Sequence, residues 1–92
     1  MLCWDDVKRQ KTLDQRGLDF ADAAEVFAGY NIDQVDGRYE YGEHRILTIG
    51  AIDQNIIVIV WTPRDGSRRI ISMRKANVRE QAQYRDALDR SG

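Results

Sequence analysis

Apolar positions recur at helical spacing near the start of the chain, run together or alternate in the middle, and return to a weak helical stripe at the end. Met1 to Trp4 forms a short apolar piece suited to a strand. Asp5 or Asp6 can cap a polar helix that runs to about Gln15 and stops at Gly17. A second helix follows, with Asp19 as N-cap, Phe20, Ala23, Ala24 and Phe27 at helical spacing, and Gly29 at its end. Phe20 and Phe27 are thus expected in the core. From Tyr30 the pattern changes: Ile32, Val35, Tyr39 and Tyr41, broken by Asp36-Gly37, predict a strand or a loop crossing.

Three clearer strands come next, His44 to Ala51, Asn55 to Thr62 and Arg68 to Lys75, joined by Ile52-Asp53-Gln54 and by Pro63 to Ser67. Links this short predict an antiparallel meander. The middle strand is almost wholly apolar, as expected at the centre of a sheet. Asn77 and Glu80 have capping-box spacing and open a last helix to about Arg90, with Val78, Ala82, Tyr84 and Leu88 as its stripe. The order β-α-α-β-β-β-(β)-α describes an α+β domain, an antiparallel sheet with two N-terminal helices and one C-terminal helix.

Ninety-two residues without repeats or a Pro/Gly/Ser-rich linker indicate one domain over residues 1–92. A single cysteine, Cys3, forms no internal disulfide and reads as an ordinary strand residue, and no signal peptide is evident. A reducing cytoplasm is the expected setting. The longest apolar run, Ile56 to Trp61, is far short of a membrane span, so a soluble protein is expected.

Charge alters the picture once it is divided along the chain. The net charge of −1 argues against nucleic acid, whose non-specific binding is electrostatic. Yet residues 1–43 hold five Lys/Arg against ten Asp/Glu, and residues 44–92 hold nine against five. Arg64, Arg68, Arg69, Arg74, Lys75 and Arg79 are opposed in their stretch only by Asp65. Such arginines can simply solubilise a sheet edge, or they can form an anion site.

Unbroken period-two alternation places Arg68, Ile70, Ser72 and Arg74 on one face of the last strand and Arg69, Ile71, Met73 and Lys75 on the other, with Ile71 and Met73 as the helix-covered pair. Thr62, Arg64, Ser72 and Arg74 can then converge on one cationic surface. Guanidinium groups there would bind a phosphodiester and stabilise the added charge of a pentavalent transition state. Attack by a ribose 2′-hydroxyl further needs a proton acceptor and a donor. His44, the only histidine, is a candidate for either role, or a surface residue, and Glu43 can act as base or orient a ring. Tyr39, Tyr41 and Tyr84 can stack on bases or serve in packing. Trp61 reads as core, whereas Trp4, followed by two aspartates and a basic helix, is the better base-stacking platform. No zinc set, Walker loop, dinucleotide fingerprint or EF-hand pattern occurs, and the cationic half is poor in carboxylates, so neither metal nor cofactor is expected.

Several segments together resemble the BrnT toxin family over nearly the whole chain. They are Trp4-Asp5 and Lys8, Gly17 to Ala23, Val26-Phe27, Gly42-Glu43-His44-Arg45, Ile49-Gly50, Thr62-Pro63-Arg64, Arg69 to Ala76, Glu80 and Tyr84. The resemblance implies a RelE-like fold and a metal-independent endoribonuclease that inhibits translation. It also implies a ribbon-helix-helix antitoxin of the BrnA kind, through which alone the complex would reach operator DNA. Carried over by position, Arg45, Arg64 and Arg74 match the family's strand arginines and Trp4 its leading tryptophan. The expected catalytic residues are then Arg45, Arg64, Arg74 and His44, and the expected RNA-binding residues Trp4, Lys8, Arg69, Ser72, Lys75 and Tyr84. One departure stands before Gly17, where Arg16 occupies the place of a histidine common in the family. The alternative is a non-catalytic module that binds nucleic acid or a protein through the basic strand face.

Overall fold

The computed structural model describes residues 1–35 and 44–91. Its elements are β1 (Leu2–Trp4), α1 (Asp6–Arg16), a 3-10 turn (Phe20–Asp22) leading into α2 (Ala23–Ala28), β2 (Asn31–Val35), β3 (Ile46–Ile52), β4 (Asn55–Arg64), β5 (Ser67–Lys75) and α3 (Val78–Ser91). The expected α+β order is therefore present. The segment holding Tyr39, Tyr41, Gly42, Glu43 and the Asp36-Gly37 turn lies outside the described residues.

The capping signals read from the sequence act as expected. The Asp5 carboxylate accepts from the amides of Val7 (2.8 Å) and Lys8 (3.3 Å). At the other end of α1, Gly17 takes the left-handed conformation, with φ at 69°. Asp19 accepts from the Ala21 amide (2.9 Å). The box at α3 is reciprocal, with Asn77 N–H to Glu80 at 2.9 Å and Glu80 N–H to Asn77 Oδ1 at 2.8 Å.

The five strands form one sheet in the order β1-β5-β4-β3-β2. It is mixed, not wholly antiparallel: β2 to β5 form the expected meander, but β1 runs parallel to β5, Leu2 opposite Arg68 and Trp4 opposite Ile70. The β4–β5 connection is tighter than the spacing suggested. Arg64 pairs with Ser67 across Asp65-Gly66, whose φ values of 52° and 78° fit a type I′ hairpin. Pro63 is tolerated inside β4 because β3 stops pairing at Trp61, so β4 has a partner on only one side beyond that point.

Helices cover both faces of the sheet. On one, Phe20, Ala23 and Val26 pack against Ile57, Ile59, Trp61, Ile70 and Met73, with Leu2, Trp4, Leu18, Phe27 and Ile46 around them. On the other, Tyr84 and Ala76 pack with Ile49 and Val58, bordered by Ile32, Leu47 and Ile56. Helix α1 buries no residue of its own. It is fastened by Arg9, which donates to both Asp19 oxygens (2.7 and 3.0 Å), and by Arg16, which donates to the Met73 carbonyl (2.8 Å). Arg9 thereby holds the Asp19 carboxyl below its ordinary range. Arg16 thus has a structural task here.

One irregularity changes the faces of β5. Val60 pairs with Ser72 but Trp61 pairs with Ile70, so Ile71 is an extra residue in a β-bulge. Between the bulge and the turn every side chain changes sides relative to unbroken alternation. Ile70, not Ile71, joins Met73 in the core, and Arg68 and Arg69 exchange faces.

Candidate nucleic-acid interface

The α3 face of the sheet carries cations that strand register brings together. Arg69 on β5 lies opposite Thr62 on β4 and, on its other side, opposite Cys3 on β1. Continuing the β3–β4 register by one residue brings Arg45, just ahead of β3, beside the same row. Arg64 lies opposite Ser67, Ser72 opposite Val60, and Arg74 opposite Val58. Helix α3 packs on β2 and β3, toward the other side of this face. At the hairpin end Arg64 is exposed, and Arg69, Ser67 and Ser72 are half-buried. Thr62 is buried and donates its hydroxyl hydrogen to the His44 carbonyl (2.8 Å), which fixes the chain entering β3 against β4. That entry segment carries His44, exposed, and Arg45, half-buried.

Two cations of the sequence reading are differently placed from one another. Arg74 gives both terminal nitrogens to Glu80, at 2.7 and 2.8 Å, joining β5 to the first turn of α3. This hydrogen-bonded pairing raises the Arg74 pKa and lowers that of Glu80, against the opposing effect of burial. Arg69 makes no ion pair with a carboxylate among the described residues. It is mounted on rigid β structure with its guanidinium hydrogens available to an anion.

The register thus brings together Arg45, Arg64, Arg69 and Ser72, places His44 next to them through the chain, and sets Arg74 at the α3 border. Four other expected residues lie elsewhere. Trp4 is on the opposite face, edge-on to Phe20 (centroids 6.5 Å apart) and with the Arg9 guanidinium 5.6 Å from its ring centre. Lys75, opposite Ile57, also faces that way, and Lys8 is exposed on α1. Tyr84 is buried under α3 and donates its hydroxyl hydrogen to the Tyr30 carbonyl (3.0 Å). It serves in the second core. The sequence marks Glu80 as half of a helix cap and as one of the residues of the family resemblance, but nothing local tells that the same side chain also reaches back to Arg74 on β5.

Among the described residues no group of three or more His, Cys, Asp or Glu side chains is arranged to hold a metal ion, and no helix is long and apolar enough to cross a membrane. Beside the exposed Asp65 of the turn, the hairpin end offers guanidinium and hydroxyl groups, the donors suited to phosphate oxygens.

A small α+β domain with such donors gathered at one end of a sheet face has the groups that a nucleic-acid-handling domain uses. The chain's family agrees: the family model described as ribonuclease toxin, BrnT, of type II toxin-antitoxin system matches residues 4–80, and the chain belongs to that family. It is a ribonuclease toxin, whose target is RNA and whose partner is an antitoxin. A search of curated proteins gives no match.

Proposed function

We propose that this toxin is an endoribonuclease that cuts RNA by attack of a ribose 2′-hydroxyl on the adjacent phosphorus, without a metal ion, and so inhibits translation. The 2′-oxygen loses its proton and bonds to phosphorus, the bond from phosphorus to the 5′-oxygen breaks, and that oxygen takes up a proton. The products are a 2′,3′-cyclic phosphate and a 5′-hydroxyl. Arg69, Arg64 and Arg45 hold the phosphate and the charge that grows on it, with Ser72 as a further hydrogen-bond donor. His44 exchanges the proton. Arg74, both of whose terminal nitrogens are engaged by Glu80, is a positioning residue that ties α3 to the sheet. The proposed partner is a ribbon-helix-helix antitoxin of the BrnA kind, which would carry the contact with operator DNA.

The single observation carrying this reading is the row in which Arg69 stands beside Thr62, with Arg64 and Arg45 flanking it and no carboxylate among the described residues paired to Arg69. Expression without antitoxin should stop growth and fragment RNA, and purified toxin should cleave equally in EDTA. Arg69→Ala should lower the rate at least about 10²-fold, as loss of a charge-stabilising donor does elsewhere. A folded Arg69→Ala protein of full activity would refute the site, and cleavage abolished by EDTA would refute metal independence. RNA that is bound but never shortened would favour the non-catalytic binding module.

A further inference from the structure

The bulge at Ile71 sends Arg68, one residue from Arg69, to the opposite face of the sheet. There it meets an aromatic pair. Its guanidinium carbon lies 4.3 Å from the ring centre of Phe27 and 5.2 Å from that of Trp61, and these two rings stand edge to face at 5.6 Å. The backbone beneath is fixed as well: the Arg68 amide donates to the Met1 carbonyl (2.9 Å), and Pro63, with no donor of its own, sits opposite on β4.

Two other described arginines on that side already donate to protein acceptors. Arg9 is engaged by Asp19 and Arg16 by the Met73 carbonyl. Arg68 is exposed, and no carboxylate among the described residues pairs with it. Aromatic faces occupy one side of the guanidinium and limit its rotation, while its N–H edge stays open to a further acceptor. A planar cation preset in this way suits a phosphodiester. Because neighbouring strand residues point to opposite faces, Arg68 and Arg69 straddle the β4–β5 hairpin end.

We propose that Arg68, supported by Phe27 and Trp61, binds a phosphate flanking the one held at Arg69, so that a single RNA strand bends around the hairpin end. This rests on the RNA-cleaving reading above. The test uses the full chain and a 2′-O-methyl RNA oligonucleotide, which binds but offers no 2′-hydroxyl for attack, with the dissociation constant measured from low to moderate salt. Arg68→Met keeps an apolar cover on the two rings and removes the charge. It should weaken binding about 3- to 10-fold, flatten the plot of log affinity against log salt by about 0.7, and raise KM for cleavable RNA by a similar factor. Arg68→Lys should keep the salt slope and recover part of the affinity. Phe27→Leu, which retains the cation without its platform, should weaken binding with the slope intact, and it provides the reading if Arg68→Met does not fold. Unchanged affinity and slope in folded Arg68→Met would overturn the inference while cleavage by the wild type still supports the ribonuclease reading. Wild-type protein that binds RNA without ever cutting it, with a flattened slope in Arg68→Met, would overturn the ribonuclease reading and leave the phosphate contact standing. Absence of RNA binding by the wild type would overturn both.

Discussion

At Gly50 the helix α2 lies close against the sheet, and adding one methyl group there tests the packing directly. Gly50 is buried in β3, between Asn31 of β2 and Ile57 of β4. A Cβ built on it would lie 2.6 Å from Val26 Cγ1, 3.4 Å from Asn31 Cβ and 3.5 Å from the Tyr30 carbonyl. Carbon atoms pack best at roughly 3.5–4.0 Å, so Val26 must yield by about 1 Å. Val26 is fully buried and β-branched, hence stiff at χ1. The strain must therefore pass into α2. Two effects oppose each other in Gly50→Ala: a more restricted unfolded chain favours alanine by about 0.4–1 kcal/mol, and overpacking costs about 1–3 kcal/mol. The steric term should win, with a net loss of about 1–2 kcal/mol. At about 4–8 °C per kcal/mol for a domain near this size, the melting temperature should fall visibly. Val26→Ala alone removes two methyl groups and should cost about 1.5–3 kcal/mol. In the double variant the new methyl occupies space that valine vacated, so the two costs should fall short of additivity by about 1 kcal/mol or more. Urea unfolding followed by tryptophan fluorescence reads all four proteins, and an unchanged m-value shows that stability alone has moved. Costs that add to within about 0.5 kcal/mol, or a Gly50→Ala protein more stable than wild type, would refute the proposed contact.

Two further perturbations bear on the polar network. Because Arg74 lowers the Glu80 pKa, the ionised pair adds stability above the ordinary glutamate range, and this is lost as pH falls through the lower folded value. Glu80→Gln keeps a capping-box side chain and should cost about 1 kcal/mol at neutral pH, since the pair is partly exposed. That difference should shrink to nothing in acid; if urea unfolding at a series of pH values finds it constant or growing, the linkage is wrong. The fully buried Thr48 accepts the Trp61 indole N–H (2.7 Å) and donates to Asp33 (2.6 Å). Thr48→Val leaves the buried indole unpaired and should cost about 1–3 kcal/mol, whereas Thr48→Ser should retain most of the bond. Equal melting temperatures for the two variants would show that the hydroxyl does not matter.

Local chemistry alone made much of this protein legible. The caps at Asp5, Asp19 and Asn77-Glu80 act within three residues of themselves. The apolar run of β4 required a central strand, and the spacing of Phe20, Ala23 and Phe27 required an amphipathic turn. The division of charge placed an excess of arginine on β4 and β5. Tertiary structure decided which cations share a face. Face assignment accumulates along a strand, so a single bulge at Ile71 exchanges Arg68 with Arg69, and a bulge depends on the partner strand as well as on its own sequence. The parallel pairing of β1 with β5, the capture of Arg74 by Glu80, the burial of Tyr84 and the placement of Trp4 between Phe20 and Arg9 likewise join residues that periodicity treats separately. Residue type and spacing determined that this chain has strands rich in arginine, and the fold determined which of those arginines share a face.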